Sequence, residues 1–323
     1  MLNTPHFKLR PFKVLIIGDV MLDAHHFGRS DRQSAEAAIN VFDVEKTVFN
    51  PGGAANVAMN VKAMGGQPVL MGVVGKDEYA EILMQQLKKA GIGTDMLVTL
   101  RHLPTTLKSR FYADNKQVFR ADRESKEALS ITAARHQFLH TAVHFLHHER
   151  PDVVILQDYN KGVLHPDLSH ALIQQAKALN IPVVVDPKLD HIYAYRGARL
   201  LKPNLREWFQ LCGERHELTK EDFDRVAKRI MGDLRLKELI VTLSEQGLYY
   251  NDGNHSDMLP GIKVYQPDVS GAGDSVVAAI SMSIAQGWDA LTIAEMANLA
   301  GAAACMKRGV SAVTLSDMKA LMG

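Results

Sequence analysis

Only two cysteines, Cys212 and Cys305, occur in the 323 residues. That is too few for a disulfide framework or a cysteine-based zinc site, and it fits a reducing compartment. No stretch approaches the roughly 18 consecutive apolar residues that a membrane helix needs. The segment from Met1 to Arg10 lacks an apolar run with a cleavage site, and the first such run, Val14 to Ile17, is too short for a signal peptide and ends at Gly18-Asp19. A cytoplasmic, membrane-free protein is expected. Charge of one sign is also missing: 37 Lys and Arg stand against 36 Asp and Glu, a net charge of +1. A nucleic-acid binder needs a basic excess, so no nucleic-acid partner is expected. Internal repeats and low-complexity linkers are absent. With 46% hydrophobic and 23% charged residues, the composition is that of a globular protein and excludes a disordered or collagen-like one.

What the chain does have is a rhythm. Short, largely continuous apolar runs mark buried strands at Val14–Ile17, Pro68–Val74, Asp152–Leu156, Pro182–Val185 and Leu239–Leu243. Helical patterns lie between and after them, at Ala54–Met64, Asp77–Ala90, Thr132–His148, Asp167–Leu179, Glu221–Met231, Ser275–Gln286 and Leu291–Lys307. Gly91 stands where a helix C-terminus belongs. Alternating strands and helices predict an α/β fold, a mostly parallel sheet between helical layers. Two regions, about 23–50 and 99–123, break the rhythm with polar–apolar alternation. Thr105–Tyr112 and Gln117–Arg120, around Asp114-Asn115-Lys116, read as a hairpin. These excursions predict a small β-sheet lid on the edge of a single domain spanning 1–323.

Ligands of open parallel sheets bind beyond the C-terminal ends of the strands. After the first strand come two carboxylates, in Gly18-Asp19-Val20-Met21-Leu22-Asp23, which either bind something or make a turn and a helix cap. Gly52-Gly53 before a helix lets backbone N–H groups approach a polar ligand, with Asn56 one turn in, although a structural turn explains the glycines equally well. The strongest signal is Asp268-Val269-Ser270-Gly271-Ala272-Gly273-Asp274, opening a helix. Gly-x-Gly at a helix N-terminus offers an anion hole. A carboxylate there would repel a phosphate unless it works as a base, so Asp274 reads as the group that takes a proton from an attacking hydroxyl. A simple helix cap is the alternative. Other nucleotide signatures are missing. Gly72 to Asp77 has the wrong spacing for a phosphate loop, Gly-x-Gly-x-x-Gly does not occur, and His216-Glu217 has no second histidine in a metal-binding register.

From about residue 12 to 315 the chain resembles the ribokinase-like (PfkB) carbohydrate kinases. Gly52 to Ala58 and Asp268 to Asp274 carry the two signatures in order. The finer likeness, to the family's heptose 7-phosphate kinases, rests on Gly18–Asp23, Pro51–Asn60, Asp158–Gly162 and Asp186–Lys188. The resemblance implies a three-layer α/β/α fold with a β lid. It also implies ATP-dependent phosphorylation of heptose 7-phosphate at its anomeric hydroxyl, for lipopolysaccharide inner-core synthesis. ATP, Mg²⁺ and K⁺ are the implied cofactors, and a homodimer through the lid the implied assembly.

Residue by residue, the resemblance implies Asp274 as base and Gly271, Ala272 and Gly273 as anion hole. Asn204 and Glu207, in an Asn-x-x-Glu motif, would serve the ATP phosphates and Mg²⁺. Ser244 and Gly247 would approach the nucleotide. Asp19, Gly52, Gly53 and Asn56 would contact sugar hydroxyls. Asp268 and Ser270 would ligate K⁺. Lys108, Lys161 and Lys188, with Arg110, Arg120 and Arg123, are the basic residues available for the acceptor phosphate, Lys161 and Lys188 each following a predicted strand. The chain departs from the pattern at Ser34–Val41, where the usual prolines are gone, and at Leu189, where a glycine is usual. No His-x-Gly-His motif occurs, so a kinase alone is expected. A kinase for ribose, fructose or a hexose phosphate is the enzymatic rival, and a non-catalytic sensor the other. An intact Asp274 with Gly271 and Gly273 argues against the sensor. His136, His140, His144 and His148 recur on one helical face beside His147, and are expected to be solvated and dispensable.

Overall fold

The computed structural model describes residues 9–114, 116–213, 219–307 and 309–322; Asn115 and His216-Glu217 lie outside them. A large sheet forms the centre. Its strands are β1 (Lys13–Gly18), β4 (Gln67–Gly75), β5 (Leu97–Leu100), β8 (Val153–Gln157), β9 (Val183–Asp186), β10 (Leu200–Leu201), β11 (Glu238–Thr242), β12 (Gly247–Asn251) and β13 (Ser256–Pro260). They lie in the order β13-β12-β11-β10-β9-β8-β1-β4-β5. The pairs from β11 to β5 are parallel, and β12 and β13 add an antiparallel edge.

Alternate residues of each central strand feed opposite cores, which is why the strands are apolar throughout. Val14 and Ile16 face one core, with α1 (Ala54–Ala63), α2 (Glu78–Lys89), α7 (Ala272–Gln286), α8 (Ala290–Cys305) and α9 (Leu315–Lys319). Leu15 and Ile17 face the other, with α3 (Thr132–Glu149), α4 (Pro166–Ala178), α5 (Leu205–Cys212) and α6 (Lys220–Leu234). Asp77 caps α2 by accepting from the Ala80 N–H, and Gly91 follows its end in the left-handed region at φ 70°.

A second, four-stranded sheet stands apart from the first, in the order β3-β2-β6-β7. It consists of β2 (Val20–Gln33), β3 (Asn40–Gly53), β6 (Leu107–Ala113) and β7 (Lys116–Arg123). Strand β2 continues directly from β1, so the small sheet is hinged onto the ligand-bearing edge. One boundary expected from sequence is corrected: Leu97–Leu100 pairs with β4 in the large sheet, because its apolar residues pack on that edge. The small sheet's later strands therefore begin at Leu107.

Candidate active site

Strand order in the large sheet reverses between β1 and β8: crossovers from β1 lead to β4 and β5, those from β8 to β9, β10 and β11. A crevice opens where strand order reverses. Helix α7 points its N-terminus there, and Asp274 sits in its first turn, 3% exposed. Three side chains hold its carboxylate. Asn56 Nδ2 donates to Oδ2 at 2.7 Å; Gln157 Nε2 and the Tyr159 hydroxyl donate to Oδ1 at 3.1 and 2.9 Å. A carboxylate has about four acceptor positions, so one remains, on Oδ2. Burial pushes the Asp274 pKa up to about 7, opposed by Asn56 and Tyr159 and reinforced by the charges of Asp186 and Asp23. Asn56 is itself fixed by Asn60, which also accepts from Ser275 Oγ.

The anion hole differs in one member from expectation. The Ala272 N–H turns to the Val269 carbonyl at 3.2 Å. Gly271 and Gly273 keep N–H groups with no protein acceptor among the described residues. Gly271 has φ 76°, and a Cβ there would meet Asn56 Nδ2 at 2.7 Å; only glycine lets the loop come so close to the base's partner. Below Gly273 lies Lys202, 2% exposed and paired with Asp186 at 3.0 Å. A Cβ built on Gly273 would stand 3.8 Å from its Nζ. Lys202 is thus a buried cation beside the anion hole. Sequence reasoning missed it because it follows a two-residue strand, Leu200–Leu201, too short to announce itself.

The two carboxylates after β1 divide the work differently from the expectation. Asp19, 1% exposed, accepts from the backbone N–H groups of Tyr159 (2.8 Å), Lys161 (3.0 Å) and Val163 (3.2 Å). It anchors the 159–163 loop. Burial and then the charge of Asp158 raise its pKa to about 6 against those three bonds. Asp23 is the carboxylate that reaches toward the base. It pairs with Arg110 at 2.5 Å, and its charge helps raise the Asp274 pKa. Gly52 and Gly53 make that packing possible: a Cβ on Gly52 would strike Asp23 Oδ2 at 2.2 Å, and one on Gly53 the Asp19 carbonyl at 2.4 Å. The signal for Asp23 was its place in the same six-residue motif.

The basic residues separate into two groups. Lys188, expected at the acceptor end, has its Nζ hydrogen-bonded to Glu207 Oε1 in the Asn-x-x-Glu motif. Burial pulls Lys188 down, but Glu207, Asp186 and Asp158 together raise it above the ordinary lysine value. Glu207, 6% exposed, also accepts from the Asn204 N–H at 2.9 Å, while Asn204 Oδ1 caps α5. The turn of Ser244 and Gly247 joins β11 to β12, on the same edge, where Thr242 bridges Asn204. Lys108 and Lys161 form the other group, beneath the small sheet. Lys161 pairs with Glu124 at 2.6 Å, and Lys108 only loosely with Asp122 at 3.9 Å. Burial, and the charges of Arg120 and Lys161, lower the Lys108 pKa. Arg123 points elsewhere, to Asp77 and the Tyr79 ring.

Asp268 accepts from the N–H groups of Ser270 (3.0 Å) and Gly309 (2.7 Å), so it ties two loops beside α7. The histidine face of α3 is exposed, with His144 and His148 stacked at 3.9 Å. No group of three or more metal-ligating side chains is placed to hold a metal among the described residues. No described helix is long and apolar enough to cross a membrane.

The family model described as pfkB family carbohydrate kinase matches residues 12–317. This chain belongs to that family. Among relatives of the pfkB-family chain, the D-beta-D-heptose 7-phosphate kinase of Bordetella bronchiseptica is 38% identical over 322 residues, covering 97% of each protein. The bifunctional protein HldE of Nitratiruptor sp. is 36% identical over 307 residues, which are 95% of this chain but 64% of that longer protein. Among solved structures, phosphofructokinase-2 of Escherichia coli in complex with potassium has a TM-score of 0.76 at 19% identity, covering 97% of this chain and 98% of that one. Ribokinase of Arabidopsis thaliana complexed with ribose and ATP has a TM-score of 0.77 at 16% identity, covering 97% and 99%. Both share the ribokinase-like fold of this carbohydrate kinase.

Proposed function

We propose that this chain transfers the γ-phosphoryl group of ATP to the anomeric hydroxyl of heptose 7-phosphate, giving heptose 1,7-bisphosphate for lipopolysaccharide inner-core synthesis. The observation that carries the phosphoryl-transfer step is the buried Asp274 at the N-terminus of α7, with a pKa near the working pH of a general base. The acceptor hydroxyl takes the free position on Oδ2. Its proton passes to Asp274 while its oxygen bonds to the γ-phosphorus; the bond from that phosphorus to the β,γ-bridging oxygen breaks, and ADP leaves. The N–H groups of Gly271 and Gly273, with Lys202, face the charge on the transferring oxygens. The small sheet closes over the acceptor and keeps water from competing.

For the acceptor, the supporting observation is the crowded cation at Lys108. It is loosely paired and repelled by Arg120 and Lys161, and a phosphate ester would relieve all three. Glu207 fits Mg²⁺, which is held in such sites by one or two carboxylates plus the nucleotide's phosphates. Glu207 is a buried carboxylate beside the Asn204 cap, and Lys188 occupies it otherwise. Bound Mg²⁺ supplies charge neutralisation on the phosphates. Asp268 and Ser270 are assigned to K⁺, which would steady the anion-hole loop. The assembly is a cytoplasmic homodimer through the small sheet, whose outward side carries Phe119, 62% exposed, packed on Phe111. Phosphorus NMR of the product from ATP and heptose 7-phosphate tests the reading: a new anomeric phosphate is expected, and phosphorylation at another carbon, or none, refutes it.

A further inference from the structure

On the small sheet, His25 is a buried polar side chain that the proposed reaction leaves without a task. His25 lies on β2, two residues beyond Asp23, and is 4% exposed. Its Nε2 is buried with no hydrogen-bond partner among the described residues. Residues two apart on a strand share a face, and the register of β2 shifts only after Phe27, so His25 and Asp23 look to the same side. Stacking on Tyr112, with ring centroids 5.8 Å apart and planes at 19°, holds the imidazole there. Opposite lie the loops beside α7. A Cβ built on Gly309 would stand 4.0 Å from His25 Cε1, and Gly309 is tied to Asp268. The ring therefore sits in the seam between the small sheet and the anion-hole loop.

Burial, then the Arg110 charge, push the His25 pKa below the ordinary histidine value. A neutral imidazole has one donor and one acceptor. Leaving either one buried and unpaired is costly, and such exceptions call for an explanation. A sugar hydroxyl both donates and accepts, so it satisfies Nε2 in either tautomer.

We propose that His25 is an acceptor-binding residue whose Nε2 hydrogen-bonds a hydroxyl of the sugar held between Asp23 and Asp274. The proposal rests on the sugar-kinase reading of the site. It gives the imidazole an unusual signature: the unpaired nitrogen weakens the free chain and strengthens the complex. A residue that merely supports the fold does the reverse.

Two variants test this. His25→Phe keeps a flat ring against Tyr112 and removes the nitrogen; His25→Gln returns a donor and an acceptor. Acceptor KM, ATP KM, kcat and Tm are measured with heptose 7-phosphate. His25→Phe should lower acceptor kcat/KM about tenfold, the worth of one neutral hydrogen bond, with ATP KM unchanged and Tm at or above wild type. His25→Gln should recover part of the loss. An unchanged acceptor kcat/KM in His25→Phe overturns the inference, as do acceptor and ATP parameters that worsen together with a lowered Tm. If the wild-type chain does not turn over heptose 7-phosphate, the functional reading fails; if it does and His25→Phe matches it, only this inference fails.

Discussion

The two sheets handle charge in opposite ways. The large sheet hides its central strands between two cores, and near their ends Asp274, Lys202 and Asp19 are at most 3% exposed and each is held by named partners. The small sheet alternates along its length, and ion pairs such as Arg32 with Asp43 are open to solvent, while Arg110 with Asp23 is mostly covered. Buried groups cannot relax away from their tasks, whereas exposed pairs exchange partners cheaply. The difference assigns the chemistry to the large sheet's edge and acceptor recognition to the small one. Substitutions on the first should therefore change kcat, and those under the second the acceptor's kcat/KM.

The hardest test of that division is Asp274→Asn. It should lower kcat at least about 10²-fold, the scale of a lost general base, with ATP binding retained by calorimetry. Wild-type kcat/KM should rise with pH through about 7 as Asp274 ionises. Stability carries the opposite sign. The folded chain holds the Asp274 proton to higher pH than the unfolded chain, whose Asp titrates near 4. That contribution is therefore complete below about pH 4 and lost as pH rises to about 7. The Tm difference between variant and wild type, followed from pH 4 to 8, reads it directly; a difference independent of pH would contradict the raised pKa.

Lys161→Met should come next, costing about one to two decades in kcat/KM for the phosphorylated acceptor, the worth of a charge-assisted contact, and little for the unphosphorylated heptose. Steady-state kinetics on both sugars would show it; an equal loss on both would blur the comparison between the sheets. Glu207→Gln should raise the Mg²⁺ requirement roughly tenfold while the acceptor KM holds, seen by titrating Mg²⁺ at fixed ATP. The smallest effect belongs to the α3 histidines. Replacing His136, His140, His144 and His148 together by Gln should leave stability within about 0.5 kcal/mol and turnover unchanged, by thermal melts and kinetics without and with added zinc.

Much of this was legible in the chain because it rests on local pattern. Continuous apolar runs marked β1, β4, β8, β9 and β11, and Gly271 to Asp274 marked the buried carboxylate at the start of α7, since a helix N-terminus with glycines and a carboxylate is a local arrangement. Gln157 and Tyr159 reach Asp274, and Lys202 reaches Gly273, only through long-range packing; Gln157 and Asp274 are 117 residues apart, and no spacing rule spans that. Asp19 and Asp23 share one motif, but Asp19 lies in the turn before β2 and Asp23 on β2 itself, and the partners each meets, the 159–163 loop and Arg110, come from distant segments. Lys188 followed a strand as Lys161 did, but the pull of Glu207, 19 residues away in sequence, decides which end of the site it serves. The antiparallel edge of β12 and β13 was missed because its strands are short and mixed in polarity.

The central claim is that the cations beneath the small sheet select an acceptor already phosphorylated at its far end. The most direct measurement is the ratio of kcat/KM for heptose 7-phosphate to that for unphosphorylated heptose, ribose and fructose under one set of conditions with ATP and Mg²⁺. The account predicts a ratio of at least about tenfold in favour of heptose 7-phosphate, the yield of one charge-assisted contact. Equal turnover of ribose or fructose would contradict it.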